Sequence, residues 1–136
     1  MIDPLRLLGY FLWIFKEIVS GTLSMTTSLF TPRGYSRPMI VQVPLRCTTD
    51  LEITMFASSI TITPGTLVVA IAAGDEADDP PTLFVHVLFA DSEADALDGL
   101  YDMETRLLTA MRRRPPKPVA DAILRGAQGT QEGETA

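Results

Sequence analysis

The chain has one cysteine, Cys47, and one histidine, His86, among 136 residues. A single cysteine excludes an intrachain disulfide, and with one histidine no Cys/His set at metal-ligand spacing is left. Cys47 reads as a small half-buried residue near a strand end, compatible with a reducing compartment. The sequence contains no Gly-rich phosphate loop, no nucleophile beside a base and no paired carboxylates with an evident pocket, so it supplies no enzymatic chemistry and implies no cofactor. The net charge is −6, and every acidic residue except Asp3 and Glu17 follows position 49, which disfavours nucleic acid as a partner. No internal repeat is present. Charge is also missing altogether from Ile53 to Gly74, a run long enough to cross a bilayer.

The centre of that run argues against a span. Pro64 has no amide hydrogen and Gly65 tolerates positive φ, so Pro64-Gly65 reads as a turn between two elements. Upstream, Thr49-Asp50-Leu51-Glu52 has the form of a capping box. It predicts a helix to about Thr61 that presents Ile53, Phe56, Ala57 and Ile60 on one face. Downstream, "TLVVAIA" (66–72) is apolar and β-branched and predicts a central strand buried on both faces.

Before the capping box, "TPRGYSRP" (31–38) is turn chemistry, and "MIVQVPL" (39–45) predicts a strand limited by Pro44. After "TLVVAIA" comes an acidic exposed loop. Its Asp75, Glu76, Asp78 and Asp79 lack the spacing and glycine of an EF-hand, so they read as a solvated hairpin tip. "LFVHVLF" (83–89) then pairs antiparallel with "TLVVAIA", with His86 in mid-strand as a packed side chain rather than a proton carrier. Ser92 to Asp95 cap a final helix with a stripe of Leu97, Leu100, Tyr101, Leu107, Leu108 and Met111. Arg112 to Arg114 close that helix, matching its dipole, and are placed to touch anionic headgroups. A disordered tail is expected over 115–136.

The first 31 residues form the second organised region. From Leu7 to Phe30 the only charges are Lys16 and Glu17, over about 36 Å of helix. At 100° per residue, Arg6, Tyr10, Glu17, Ser20, Gly21, Ser24 and Ser28 share one arc, while Leu8, Leu12, Phe15, Ile18, Val19 and Phe30 spread over the other side. Small residues at helical spacing let membrane helices approach closely, so Glu17, Ser20, Gly21, Ser24 and Ser28 are a candidate docking face. Lys16 and Glu17 are candidate intramembrane charges. Each costs about 2.5–3.5 kcal/mol at mid-bilayer unless sheltered, which points to partner spans. Two other readings compete: a secretory signal peptide, weakened by Asp3 and by the Lys-Glu pair, and an amphipathic helix lying in the interface. Arg33, Arg37 and Arg46 after the segment outnumber Arg6 before it, which places the following domain in the cytoplasm. The expected fold class is therefore α+β: one N-terminal transmembrane helix (1–31), a connector (32–37) and a small β-α-β-β-α cytoplasmic domain (38–114).

"EITMFASSITITPGTLVV" (52–69) followed by "LFVHVL" (83–88) resembles the E subunit of Mrp-type multisubunit sodium/proton antiporters. Ser59, Ile60, Thr61, Thr63, Pro64, Gly65 and Thr66 fit that family's core motif, with Ile62 for its commoner leucine, and His86 fits its strand. "FKEI" (15–18) is similar to the family's Lys-Glu in its last membrane span, and Pro38 to its proline before the first strand. Family members usually begin with further hydrophobic segments, whereas this sequence starts at the Lys-Glu helix. The resemblance implies an accessory, non-catalytic subunit of a cation/proton antiporter in the bacterial plasma membrane, with the other membrane subunits and the lipid bilayer as partners. It gives the motif residues a structural task, with the Thr63 and Thr66 hydroxyls closing the helix-to-strand turn. Two rival expectations are a stand-alone membrane-anchored interaction domain and a subunit that lines an ion path through Lys16 and Glu17, with His86 as a further candidate.

Overall fold

The structure, a computed structural model, describes residues 4–30, 38–74 and 80–112. Six elements follow in order: α1 (Pro4–Phe30), β1 (Met39–Pro44), α2 (Asp50–Ile62), β2 (Thr66–Ala72), β3 (Thr82–Val87) and α3 (Glu93–Met111). This is an α+β chain with the expected β-α-β-β-α order after a leading helix. The expectations for the connector, the acidic loop, Arg113, Arg114 and the tail concern residues outside those described.

Local chemistry sets the helix ends. At the start of α2 the Thr49 hydroxyl accepts the Glu52 amide at 3.3 Å, while the Glu52 carboxylate accepts the Thr48 and Thr49 amides at 2.9 and 3.3 Å. Those side chains satisfy amides that a helix start otherwise leaves without partners. Ser92 caps α3 in the same way, accepting the Asp95 amide at 3.2 Å. Helix α2 stops at Thr63, and the chain reverses through Gly65 at φ +92°, a left-handed conformation that favours glycine.

The sheet is antiparallel in the order β1-β3-β2, so β3 is the central strand and β2 an edge. This corrects the expectation of a central "TLVVAIA": Leu67, Val69 and Ile71 are each about half exposed. Apolar composition reports what a strand tolerates, whereas strand order depends on which ladder the other strands choose. Both β1 and β2 choose β3. A bulge between Val68 and Ala70 shifts the β2 register and bends that edge. From one face of the sheet Val41, Val43, Leu83, Val85 and Val87 join Phe56 and Ile60 of α2 and Leu100, Leu107 and Leu108 of α3 in a single core. Removing each such side chain from water contributes about 1.5–3 kcal/mol. His86 lies opposite Ile40 and Leu67, on the other, open face, and is half-buried.

Helix α1 belongs to the same core through Tyr10 and Ile14. It is 27 residues long, yet among the described residues no helix is long and apolar enough to cross a membrane. Length is not what α1 lacks. Arg6, Lys16, Glu17 and the serines and threonines of its second half lower its apolarity.

Candidate functional site

Three layers of side chains seat α1 on the domain. At the first, the buried Tyr10 hydroxyl donates to Ser59 Oγ at 2.9 Å, and Ser59 in turn donates to the Met55 carbonyl at 2.8 Å, which holds α1 against the last turns of α2. At the second, the Arg106 guanidinium of α3 lies 4.7 Å from the centre of the Trp13 ring and is steadied by Asp102 at 2.9 Å. A cation over an indole face is attracted by the ring quadrupole, and the carboxylate fixes its plane. At the third, Gly21 meets the Pro64 ring: a Cβ at position 21 would stand 3.3 Å from Pro64 Cδ. Glycine is what lets the helix close on the turn.

That turn is built from hydroxyls. Thr63 Oγ1 and Thr66 Oγ1 lie 2.9 Å apart, and both reach the Ile60 carbonyl, at 2.6 and 2.7 Å. Each hydroxyl has one proton, so at most two of these three contacts are hydrogen bonds at any moment. The Gly65 Cα faces Phe89, whose Cδ2 would stand 2.9 Å from an added Cβ. Gly65→Ala is therefore expected to destabilise the fold by about 1–3 kcal/mol through backbone strain, and Thr66→Val by about 1 kcal/mol through a lost hydrogen bond. Urea denaturation midpoints check both values. Of the other motif residues, Ser59 and Ile60 are buried and Thr61 is exposed.

The candidate docking arc is divided by this seating. Gly21 faces the domain, and the half-buried Glu17 lines a cleft of about 480 Å³ with Trp13, Thr63, Pro64, Thr66 and Arg106. Ser20 and Ser24 are exposed, and the side chain of Ser28 is outside those described. Lys16 is exposed while Glu17 is turned toward the domain, so the two adjacent charges leave the helix on different sides. Among the described residues no three His, Cys, Asp or Glu side chains are grouped so that they could hold a metal ion.

A second polar constellation lies in the core, at residues whose sequence context carries little sign of it. Glu104 of α3 is fully buried; its carboxylate accepts the Arg46 backbone amide and the Arg46 Nε, both at 2.6 Å. Arg46 also donates to the Tyr101 carbonyl and to Thr105 Oγ1. Arg112 grips Glu52 through two 2.6 Å bonds and reaches the Arg46 carbonyl at 3.2 Å. The chain of contacts ties the end of α3 to the β1–α2 loop and the start of α2. Arg46 is thus an interior ion-pair member and does not serve as a membrane-flanking charge. Arg112, expected at headgroups, is likewise committed to Glu52.

Burial and the neighbouring Glu104 push the Cys47 thiol well above its ordinary range, which makes it an unreactive core residue, and burial raises the Tyr101 phenol to about 12. The hydrogen bonds from Arg112, with those from the Thr48 and Thr49 amides, hold Glu52 at about 2, below its usual 4.5, despite a desolvation effect in the other direction. Because the folded value is depressed, the stability that Glu52 contributes is complete above 4.5 and is lost as pH falls through about 2. The urea midpoint is expected to fall over that window. Glu52→Gln should flatten the fall and lower the midpoint at neutral pH.

The family described as Na+/H+ ion antiporter subunit (MNHE) matches residues 1–110. A Bacillus subtilis protein named as the E subunit of a Na(+)/H(+) antiporter is 37% identical over 88 residues, 65% of this chain and 51% of the relative. The protein of the same name from Alkalihalophilus pseudofirmus is 28% identical over 94 residues, 69% of this chain and 56% of the relative. The chain therefore spans about half the length of the curated relatives it matches. A chain in the solved Mrp complex of a Dietzia species superposes with a TM-score of 0.63 at 32% identity, covering 82% of this chain and 100% of that one. A family match from the leading helix to the end of α3, over the same residues that build the α1 seat and the Thr63–Thr66 turn, leads to one assignment: the chain belongs to the Na+/H+ ion antiporter subunit family.

Proposed function

We propose that this protein is an accessory, non-catalytic subunit of a multisubunit sodium/proton antiporter in a bacterial plasma membrane, required for assembly or activity of cation/proton exchange. The observation that carries the reading is the family match over residues 1–110, together with the likeness to a chain of a solved Mrp complex. The geometry is in keeping with it: the polar clusters staple elements together, and the exposed apolar surface of α1 is suited to a membrane setting. The partners are the other membrane subunits and the lipid around them. Arg33 and Arg37 favour a cytoplasmic position for the β-α-β-β-α domain, without Arg46, which the core consumes. Glu17, Ser20, Gly21, Ser24 and Ser28 remain the proposed region through which α1 influences assembly.

In a second reading Lys16 and Glu17 line an ion path, and the observation on its side is that Lys16 is exposed and Glu17 only half-buried, so both charges are within reach of water. The two readings separate in one experiment. Deletion of the gene from a strain that depends on the antiporter should abolish growth at high sodium and remove the intact complex from detergent extracts. Lys16→Gln and Glu17→Gln should then restore growth with an unchanged pH profile of antiport. A shifted pH profile with normal assembly would favour the ion path, and growth of the deletion strain at high sodium would contradict both.

A further inference from the structure

We infer that α1 lies flat in the bilayer interface, with its outward face immersed among headgroups and upper acyl chains and its inward face carrying the domain. The inference rests on the membrane-subunit reading only in that this reading supplies the bilayer. From Tyr10 to Gly21 one side of α1 is occupied by Ser59, Arg106 and Pro64 of its own domain. A helix surrounded by lipid must be apolar all round. To enclose this stretch of α1 in a bilayer would carry Asp102 and Arg106, both about half exposed beside it, to the same depth.

The outward side is of a different character. Leu8, Leu12, Phe15, Val19 and Leu23 are exposed, with Leu12, Phe15 and Leu23 above 60%. These are bulky side chains, whereas close helix–helix docking in membranes uses small ones. Gly21, which meets the Pro64 ring, is turned to the domain. Charge gives the occupant. Arg46, Arg106 and Arg112 are each held by a carboxylate, while Lys16 stands exposed on α1 with no ion pair among the described residues. The exposed carboxylates Asp50, Asp91, Glu93, Asp95, Asp98 and Asp102 lie on α2, on α3 or in the loop before it. An anionic lipid surface therefore meets a cation and apolar side chains on the outward face of α1, and carboxylates elsewhere. A long helix with this division is of the kind that lies about 5–10 Å into the interface.

The test uses the full chain with phosphatidylcholine/phosphatidylglycerol vesicles and with phosphatidylcholine alone. Nitroxide labels at Leu8→Cys, Phe15→Cys and Leu23→Cys, against the unlabelled buried Cys47, report depth through their accessibility to oxygen and to a water-soluble relaxant. A flat helix puts all three labels at one shallow depth. A span places Phe15→Cys near the midplane, about 15 Å down, with the other two closer to the surfaces, and would overturn the inference. Unlabelled Lys16→Gln should weaken binding to the anionic vesicles about 5-fold and leave binding to neutral vesicles unchanged. Failure of the wild-type chain to float with either vesicle would assign the outward face to a partner protein and overturn the inference as well. Co-purification with the other subunits would still hold in that case, so the two readings fail separately.

Discussion

Glu104→Leu is expected to destabilise the fold by about 3–5 kcal/mol, which would leave a small domain largely unfolded. The carboxylate is fully buried, and its removal leaves the buried Arg46 guanidinium without a counter-charge and the Arg46 backbone amide without its acceptor. An uncompensated interior charge costs far more than the net worth of the pair that held it. The double variant Arg46→Met/Glu104→Leu should recover part of the loss, because the stranded charge goes with it. Recovery should be incomplete, since the Arg46 amide stays without its acceptor. Urea denaturation of the four-member cycle gives the coupling directly, and a single variant with an unchanged midpoint would show that the pair is not buried as described.

Gly21→Leu is expected to unseat α1. The first added carbon already stands 3.3 Å from Pro64, and three more carbons at that contact press the helix away from the turn. Overpacking of this kind costs about 1–3 kcal/mol in a core. Here the cheaper response is detachment of α1 from Tyr10 onward, with Trp13 and Ile14 exposed and the complex recovered in several-fold lower yield. Ser24→Leu is the counterpart on an exposed position. It should leave domain stability unchanged, so any loss of co-purification it causes would report a contact with another subunit. Equal effects of both substitutions on the urea midpoint would contradict the seating of Gly21 on Pro64.

What could be read from the sequence was what short-range chemistry decides. Thr49 and Glu52 lie three residues apart and cap each other; Ser92 caps α3; Pro64 and Gly65 cannot sit inside a helix. The boundaries of α2 and β2 followed, and the element order with them. Strand order did not, because an apolar heptapeptide is equally at home at an edge when its partner strand and a bulge set its exposure. The burial of Glu104 was illegible for a related reason. Glu104 falls beside Met103 and Leu107 on the inner stripe of α3, but a glutamate in a charged helix reads as solvated until Arg46, 58 positions away, is seen to meet it. On α1 the small residues marked a face for close approach, and Gly21 is closely approached. Its partner is Pro64 of the same chain, which helical periodicity alone cannot distinguish from a foreign helix.

The central claim is that α1 and the domain form one cooperative body. Trp13 is the only tryptophan in the chain, and it sits in the seam under Arg106. The measurement is a urea titration of the full chain in mild detergent, following Trp13 fluorescence and the far-ultraviolet circular dichroism together. One coincident transition, shifted to lower urea by both Gly21→Leu and Glu104→Leu, is the expected result. A Trp13 transition that precedes the loss of helix and sheet, and that ignores Glu104→Leu, would contradict it.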